Sequence, residues 1–113
     1  MQAEKGWKAA GYYGRKAIHA REAREKERIV LVFDVGTQST RALLINNRGS
    51  ILAKAQKKHE PPYVSPDTDY AEQDAQFYYG KLCEAALTLK EKEPERWARV
   101  EAVSLTAIRS TCV

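Results

Sequence analysis

The eight residues from 34 to 41, DVGTQSTR, combine side chains and backbone that could bind phosphate. Glycine at position 36 permits a tight bend, after which the next three backbone amides can converge on an anion. Asp34 could hold Mg²⁺ beside that anion, and Arg41 could clamp phosphoryl oxygens. Phosphoryl transfer requires these parts. This segment, called the polar turn below, therefore indicates phosphate binding, although an ordinary hairpin turn also favours Gly, Thr and Ser.

Two apolar runs flank the polar turn and predict the strands that position it. Residues 29–33 (IVLVF) and 40–45 (TRALLI) have the length and composition of buried strands. Apolar and polar side chains alternate along residues 50–57 well enough to predict a third, half-buried strand. Residues 46–49 (NNRG), just before it, tolerate the positive φ of a tight turn. Three sequential strands joined by short turns predict an antiparallel meander.

A helix and a fourth strand are predicted after the meander. Prolines within residues 61–66 exclude regular structure there, and Asp74 can then cap a helix with apolar residues at three- and four-residue spacing until Pro94. Apolar and polar residues alternate along residues 100–108, which predicts a fourth strand. Because a helix lies between the third and fourth strands, the fourth strand is expected to pair in parallel. The order βββαβ indicates a mixed α/β fold. Its last strand would have an uncovered face and a free edge, open to a homo-oligomer or another partner.

The charge is distributed unevenly along the chain. Residues 1–28 carry eight Lys and Arg against four Glu, whereas residues 29–113 carry eleven side chains of each sign. A balanced body removes the usual reason to expect a nucleic-acid partner. We expect residues 1–28 to form a charged leader, helical or disordered, and residues 29–113 to form the domain.

Composition also indicates where in the cell the protein is located. The sequence has no run of 18 apolar residues, and its first residues lack the apolar core of a secretory signal. Cys83 and Cys112 form no CxxC pair, which fits reduced thiols. We therefore expect a cytoplasmic protein without a membrane partner. His59, a single imidazole in a charged stretch, is expected to be exposed to solvent.

Three stretches resemble the N-terminal part of the FGGY family of carbohydrate kinases, which includes glycerol, xylulose and ribulose kinases. DVGTQSTR at 34–41 is similar to the family's phosphate-loop motif. Residues 70–74 (YAEQD) resemble the segment at the start of its first helix, and residues 105–109 (LTAIR) resemble the strand that leads to its sugar site. The resemblance implies an actin-like, ribonuclease-H-like domain, present in part over residues 29–113, that binds ATP, Mg²⁺ and a sugar or polyol.

The resemblance also implies roles for individual residues. Asp34 would assist Mg²⁺, and Arg41 would stabilise charge on the nucleotide side. Arg109 would bind substrate hydroxyls, with Thr111 as a second substrate contact. The residues implied to bind the transferred phosphate, beside the turn-forming Gly36, are Thr37, Gln38 and Ser39.

Two further expectations concern the activity. The family's catalytic aspartate is expected outside these 113 residues, so that the chain alone would be inactive. In glycerol kinases an acidic residue follows the substrate arginine, whereas this chain has Ser110, which argues against glycerol as the substrate. A non-catalytic module that binds a partner through the free sheet edge is the alternative.

Overall fold

The computed structural model describes residues 26–109 together with 111 and 112. The predicted leader therefore lies outside the described residues, except for its last three positions. The described residues form four strands and two helices. They are β1 (Ile29–Val35), β2 (Ser39–Asn46), β3 (Ile51–Lys58), α1 (Ala75–Lys92), the single turn α2 (Pro94–Trp97) and β4 (Val100–Thr106).

The strands form one mixed sheet in the order β3-β2-β1-β4. β2 pairs antiparallel with both β1 and β3, and β4 pairs parallel with β1. The predicted order βββαβ is confirmed, as is the parallel pairing of the last strand. Since α1 connects β3 to β4, the chain crosses from one edge of the sheet to the other between these strands.

Both strands of the first hairpin are longer than their sequence pattern predicts. The pairing of β1 with β2 continues through Asp34↔Arg41 to Val35↔Thr40. Most of the polar turn is consequently strand, and only residues 36–38 lie outside regular structure. In the next turn the predicted positive φ is found at Gly49, with φ 80°.

The core lies between α1 and one face of the strands β1, β2 and β3. Alternate residues of β1 and β2 point into it, as a sheet with one covered face requires. From the helix, Ala85 and Leu89 are fully buried against them. The buried apolar set is completed by Ile29, Leu31, Phe33, Ala42, Leu44 and Ala55.

Helix α1 begins and ends where its sequence predicts. The Asp74 carboxylate accepts a hydrogen bond from the Gln76 amide at 2.8 Å, which satisfies one of the free N–H groups of the first turn. At the other end Glu93 caps the helix, and Pro94 opens α2. Trp97 packs against the core from this connection.

Strand β4 occupies the edge of the sheet and is largely exposed. Val103 and Leu105 are 64% and 59% exposed, although their register partners Leu31 and Phe33 are buried. Among the described residues β4 therefore pairs along one edge only, with β1, and most of its side chains are exposed. No helix among the described residues is long and apolar enough to cross a bilayer.

Two leucines of α1 provide a matched test of this core. Leu89 is fully buried and Leu87 is 57% exposed. We expect Leu89→Ala to lower the free energy of unfolding by about 2–5 kcal/mol through lost burial and a cavity. Leu87→Ala, with the same change in helix propensity, should cost less than about 0.5 kcal/mol. Urea unfolding followed by circular dichroism measures both, and equal losses would contradict the observed packing.

Candidate functional site

The polar turn is a tight hairpin with Thr37 and Gln38 at its tip. The Gly36 amide donates to the Ser39 carbonyl at 2.9 Å, which closes the hairpin behind these two residues. The turn is therefore not helical. Among the described residues no hydrogen-bond partner is found for the amides of Thr37 and Gln38, so both remain available to an anion.

The glycine has a different role from the one that its type suggests. Gly36 does not adopt a positive φ, and neither does Thr37 or Gln38. A Cβ added at Gly36 would lie 3.3 Å from the Ser39 carbonyl oxygen, closer than an ordinary contact. The glycine therefore permits close approach across the hairpin, and the expected bend does not depend on a left-handed backbone.

Asp34 and Arg41 form a direct ion pair. They are cross-strand partners, and an Arg41 guanidinium nitrogen lies 2.8 Å from Oδ2 of Asp34. Because Asp34 follows the core residue Phe33 in a strand, the pair lies on the sheet face opposite α1. Both side chains are 41% exposed. An ion pair as exposed as this contributes little free energy, so a ligand could separate its members at small cost.

Three of the predicted phosphate contacts line one concavity of about 410 Å³ beside the hairpin tip. These are Gln38, Ser39 and Arg41, and Lys58 lies with them. Lys58 was not identified from the sequence. Lys58 becomes a candidate only through the register of β2 with β3, which places it directly opposite Ser39. The concavity thus has two cationic side chains, with Glu60 at its wall.

A second cavity, of about 560 Å³, brings together Thr37 and the predicted substrate residue Thr111. Glu72 and Gln73, from the YAEQD stretch, line the same cavity. This cavity shares no lining residue with the first. Arg109 is exposed and lines neither cavity. The structure therefore joins Thr111, but not Arg109, to the tip of the polar turn.

His59 corrects the expectation of a solvent-exposed imidazole. Only 2% of the residue is exposed. Its Nδ1 lies 2.9 Å from the Thr37 carbonyl oxygen, and its Nε2 lies 2.8 Å from Oγ1 of Thr40. Its backbone amide also donates to the Gln38 carbonyl at 2.8 Å. The charged neighbours of His59 in sequence misled the prediction, because alternation along β3 places its ring on the core side, as it does for Ala55.

The donor set suits a magnesium ion held mainly by a nucleotide. Among the described residues no three His, Cys, Asp or Glu side chains are grouped as a metal site. Asp34 offers a single carboxylate, and one of its oxygens already accepts from Arg41. Mg²⁺ commonly takes one or two carboxylates, with phosphate oxygens and water completing its shell. Asp34 fits that limited role, and the described residues offer no all-protein cage.

Comparison with known proteins identifies the class to which this fold belongs. A xylulose kinase from Rhodospirillum rubrum superposes with a TM-score of 0.65 at 26% identity, over 73% of this chain and 16% of that one. A gluconate kinase from Lactobacillus acidophilus superposes with a TM-score of 0.61 at 22% identity, over 73% and 16%. The fold is that of the actin-like, ribonuclease-H-like sugar kinases.

Sequence comparison then gives the family. Residues 29–113 match the model of the FGGY family of carbohydrate kinases, N-terminal domain. A glycerol kinase from Gloeobacter violaceus is 34% identical over 84 residues, which are 74% of this chain and 16% of the relative. The chain belongs to the FGGY family of carbohydrate kinases, and it spans about one sixth of the length of the relatives that it matches.

The ion pair of the polar turn can be tested by a double-mutant cycle. We expect Asp34→Asn and Arg41→Gln to show a coupling of about 0–1 kcal/mol in urea unfolding, because both side chains are about two-fifths exposed. The coupling should decrease further in 1 M NaCl, where the Debye length is about 3 Å. A coupling above about 2 kcal/mol would show that the pair is a fixed structural element rather than a displaceable one.

Proposed function

We propose that this chain supplies the phosphate-binding part of an ATP-dependent carbohydrate kinase, which transfers the γ-phosphoryl group to a hydroxyl of a sugar or polyol. The observation that carries the proposal is the concavity that Gln38, Ser39, Arg41 and Lys58 share at the hairpin tip. Membership of the FGGY family supports the same reaction class. Stabilising the charge of a transferred phosphoryl group requires such a set of donors and cations.

In this proposal each part of the polar turn has one task. The amides of Thr37, Gln38 and Ser39, with the two hydroxyls, bind the transferred phosphate. Arg41 leaves Asp34 and pairs with phosphoryl oxygens, since a guanidinium binds phosphate at two points. The carboxylate freed in this way would help to hold Mg²⁺, which would supply positive charge beside the phosphates. Without nucleotide the two residues pair with each other across the hairpin.

The substrate side of the proposal rests on the second cavity. Thr111 and Gln73 present a hydroxyl and an amide there, and Glu72 presents a carboxylate. Groups of these types bind sugar hydroxyls as both donors and acceptors. Arg109, close to Thr111 in sequence, is proposed as a further contact to the substrate. The relatives include kinases named for glycerol, xylulose and gluconate, and the proposal for this chain goes no further than a sugar or polyol.

Catalysis requires one more group. Transfer to an alcohol needs a base within hydrogen-bond reach of the hydroxyl. We propose that this base is an aspartate that lies outside these 113 residues. Effective transfer also depends on holding both reactants in one geometry. We therefore expect the chain by itself to bind nucleotide without phosphorylating a sugar.

A second candidate function is suggested by the edge strand. Val103 and Leu105 present exposed apolar side chains on β4, and no strand among the described residues pairs with the outer edge of β4. A partner or a second copy could pair there. A binding module of this kind would not need the polar turn. Nucleotide binding therefore discriminates between the two functions.

Titration calorimetry with MgATP tests the proposed function. We expect Arg41→Gln to bind MgATP at least about tenfold more weakly than the parent chain, because a hydrogen bond to a charged phosphate is lost. The matched control is Arg96→Gln. Arg96 is 40% exposed and pairs with Glu93, as Arg41 is 41% exposed and pairs with Asp34.

Arg96 lies on α2, away from the polar turn, so its variant should bind within about twofold of the parent. The same affinity in both variants, or no measurable binding by the parent chain, would contradict the proposal that the polar turn of this chain binds the nucleotide.

A further inference from the structure

We propose that His59 is a positioning residue that fixes the direction of the phosphate-binding amides in the polar turn. The proposal rests on the proposed function for the phosphate itself. The orientation of the turn by His59 can be tested separately. His59 has no assigned part in the phosphate loop, and it lies 19 positions after Thr40 in the sequence.

Three hydrogen bonds join His59 to the polar turn. Nδ1 lies 2.9 Å from the Thr37 carbonyl oxygen, and Nε2 lies 2.8 Å from the Thr40 hydroxyl. The backbone amide of His59 donates to the Gln38 carbonyl at 2.8 Å. One residue, directly after the end of β3, thus binds both carbonyl groups of the hairpin tip.

The partners of the ring define its tautomer. A carbonyl oxygen can only accept, so Nδ1 must carry the proton in its bond to Thr37. In the neutral ring Nε2 is then an acceptor, and the Thr40 hydroxyl donates to it. Both ring nitrogens are therefore occupied. His59 is placed to orient the loop and is not placed to transfer a proton to a substrate.

Holding the carbonyls also directs the amides. The peptide unit is planar and trans, so its N–H points opposite its C=O. The Thr37 carbonyl points to the imidazole, and the Gln38 amide of the same peptide unit is directed away from it. The Gln38 carbonyl is held in the same way, which sets the direction of the Ser39 amide. These are two of the three amides assigned to the phosphate.

The hairpin tip is not one of the turn types that best match a pair of twisted strands. Two-residue hairpins are commonly of types I′ and II′, which require positive φ. Neither Thr37 nor Gln38 has positive φ. The turn itself therefore does not reinforce the twist of the paired strands, and the hydrogen bonds from His59 add a constraint on the tip.

The imidazole is itself held by the helix. Its ring meets Phe77 and Tyr78 edge-on, with centroid distances of 5.6 and 5.2 Å. Both aromatic residues lie in the first turn of α1, just after the YAEQD stretch. The order of contact is helix, imidazole, hairpin tip, so the first turn of α1 is connected to the phosphate-binding amides through one side chain.

The test compares three substitutions of His59 in the full 113-residue chain. His59→Phe keeps a ring against Phe77 and Tyr78 but has no donor. His59→Asn places a side-chain N–H near the position of Nδ1, where it can donate to the Thr37 carbonyl. His59→Gln extends its amide toward Thr40 instead. The measurements are ¹⁵N order parameters of the Gln38 and Ser39 amides, and MgATP affinity by calorimetry.

We expect order parameters near 0.85 in the parent chain, with the Gln38 value falling toward about 0.6 in His59→Phe and His59→Gln. The Ser39 value should change less, because the backbone amide of residue 59 still binds the Gln38 carbonyl in every variant. His59→Asn should restore most of the order. MgATP affinity should fall about tenfold in His59→Phe and recover in His59→Asn. The ¹⁵N shifts of the parent imidazole should show the Nδ1–H tautomer.

Unchanged order parameters in His59→Phe would overturn the proposal, as would equal behaviour of the Asn and Gln variants, since a space-filling role does not distinguish them. Should His59→Phe not fold, the contrast between Asn and Gln still decides the outcome. A parent chain that fails to bind MgATP would refute the proposed function, whereas the order parameters would continue to report on His59.

Discussion

The antiparallel pairing of β1 with β2 as far as Val35 and Thr40 is the constraint on which the rest of the site depends. Within the polar turn, this pairing leaves only residues 36–38 outside regular structure. The register also assigns the side chains to faces of the sheet. Asp34 and Arg41 are placed opposite one another away from the core, and Thr40 is placed inside it, where His59 can reach its hydroxyl. A one-residue shift of this register would exchange the two sets.

The two faces of the hairpin consequently have separate tasks. On the core face His59 binds the carbonyl groups of the tip, while Arg41 and Lys58 supply positive charge on the other face. Preorganised donors stabilise a developing charge better than donors that must reorient at the moment of reaction. The sheet and helix therefore contribute to phosphate binding by holding backbone groups still. The packing of α1 is thereby connected to the proposed chemistry.

Much of the fold could be predicted from residue patterns. Apolar runs with β-branched residues located β1 and β2, Asp74 and Pro94 marked the limits of α1, and the helix between β3 and β4 indicated the parallel pairing. The DVGTQSTR motif also located the polar turn. These signals are local, because each depends on residues that are close in sequence.

The parts that could not be predicted depend on pairing across strands. Lys58 joins the polar turn because it faces Ser39 across β2 and β3, and no local pattern marks it. His59 has charged neighbours in sequence but is buried by tertiary contacts from α1 and the hairpin tip. Neither relation exists until the register of three strands is fixed.

Titration of the ¹⁵N-labelled chain with MgATP, followed through the amide chemical shifts, tests most directly whether the polar turn binds phosphate. The largest changes are expected at the amides of Thr37, Gln38 and Ser39, with smaller ones at Arg41 and Lys58. Binding that leaves these amides unmoved and shifts residues of β4 instead would contradict phosphate binding by the polar turn.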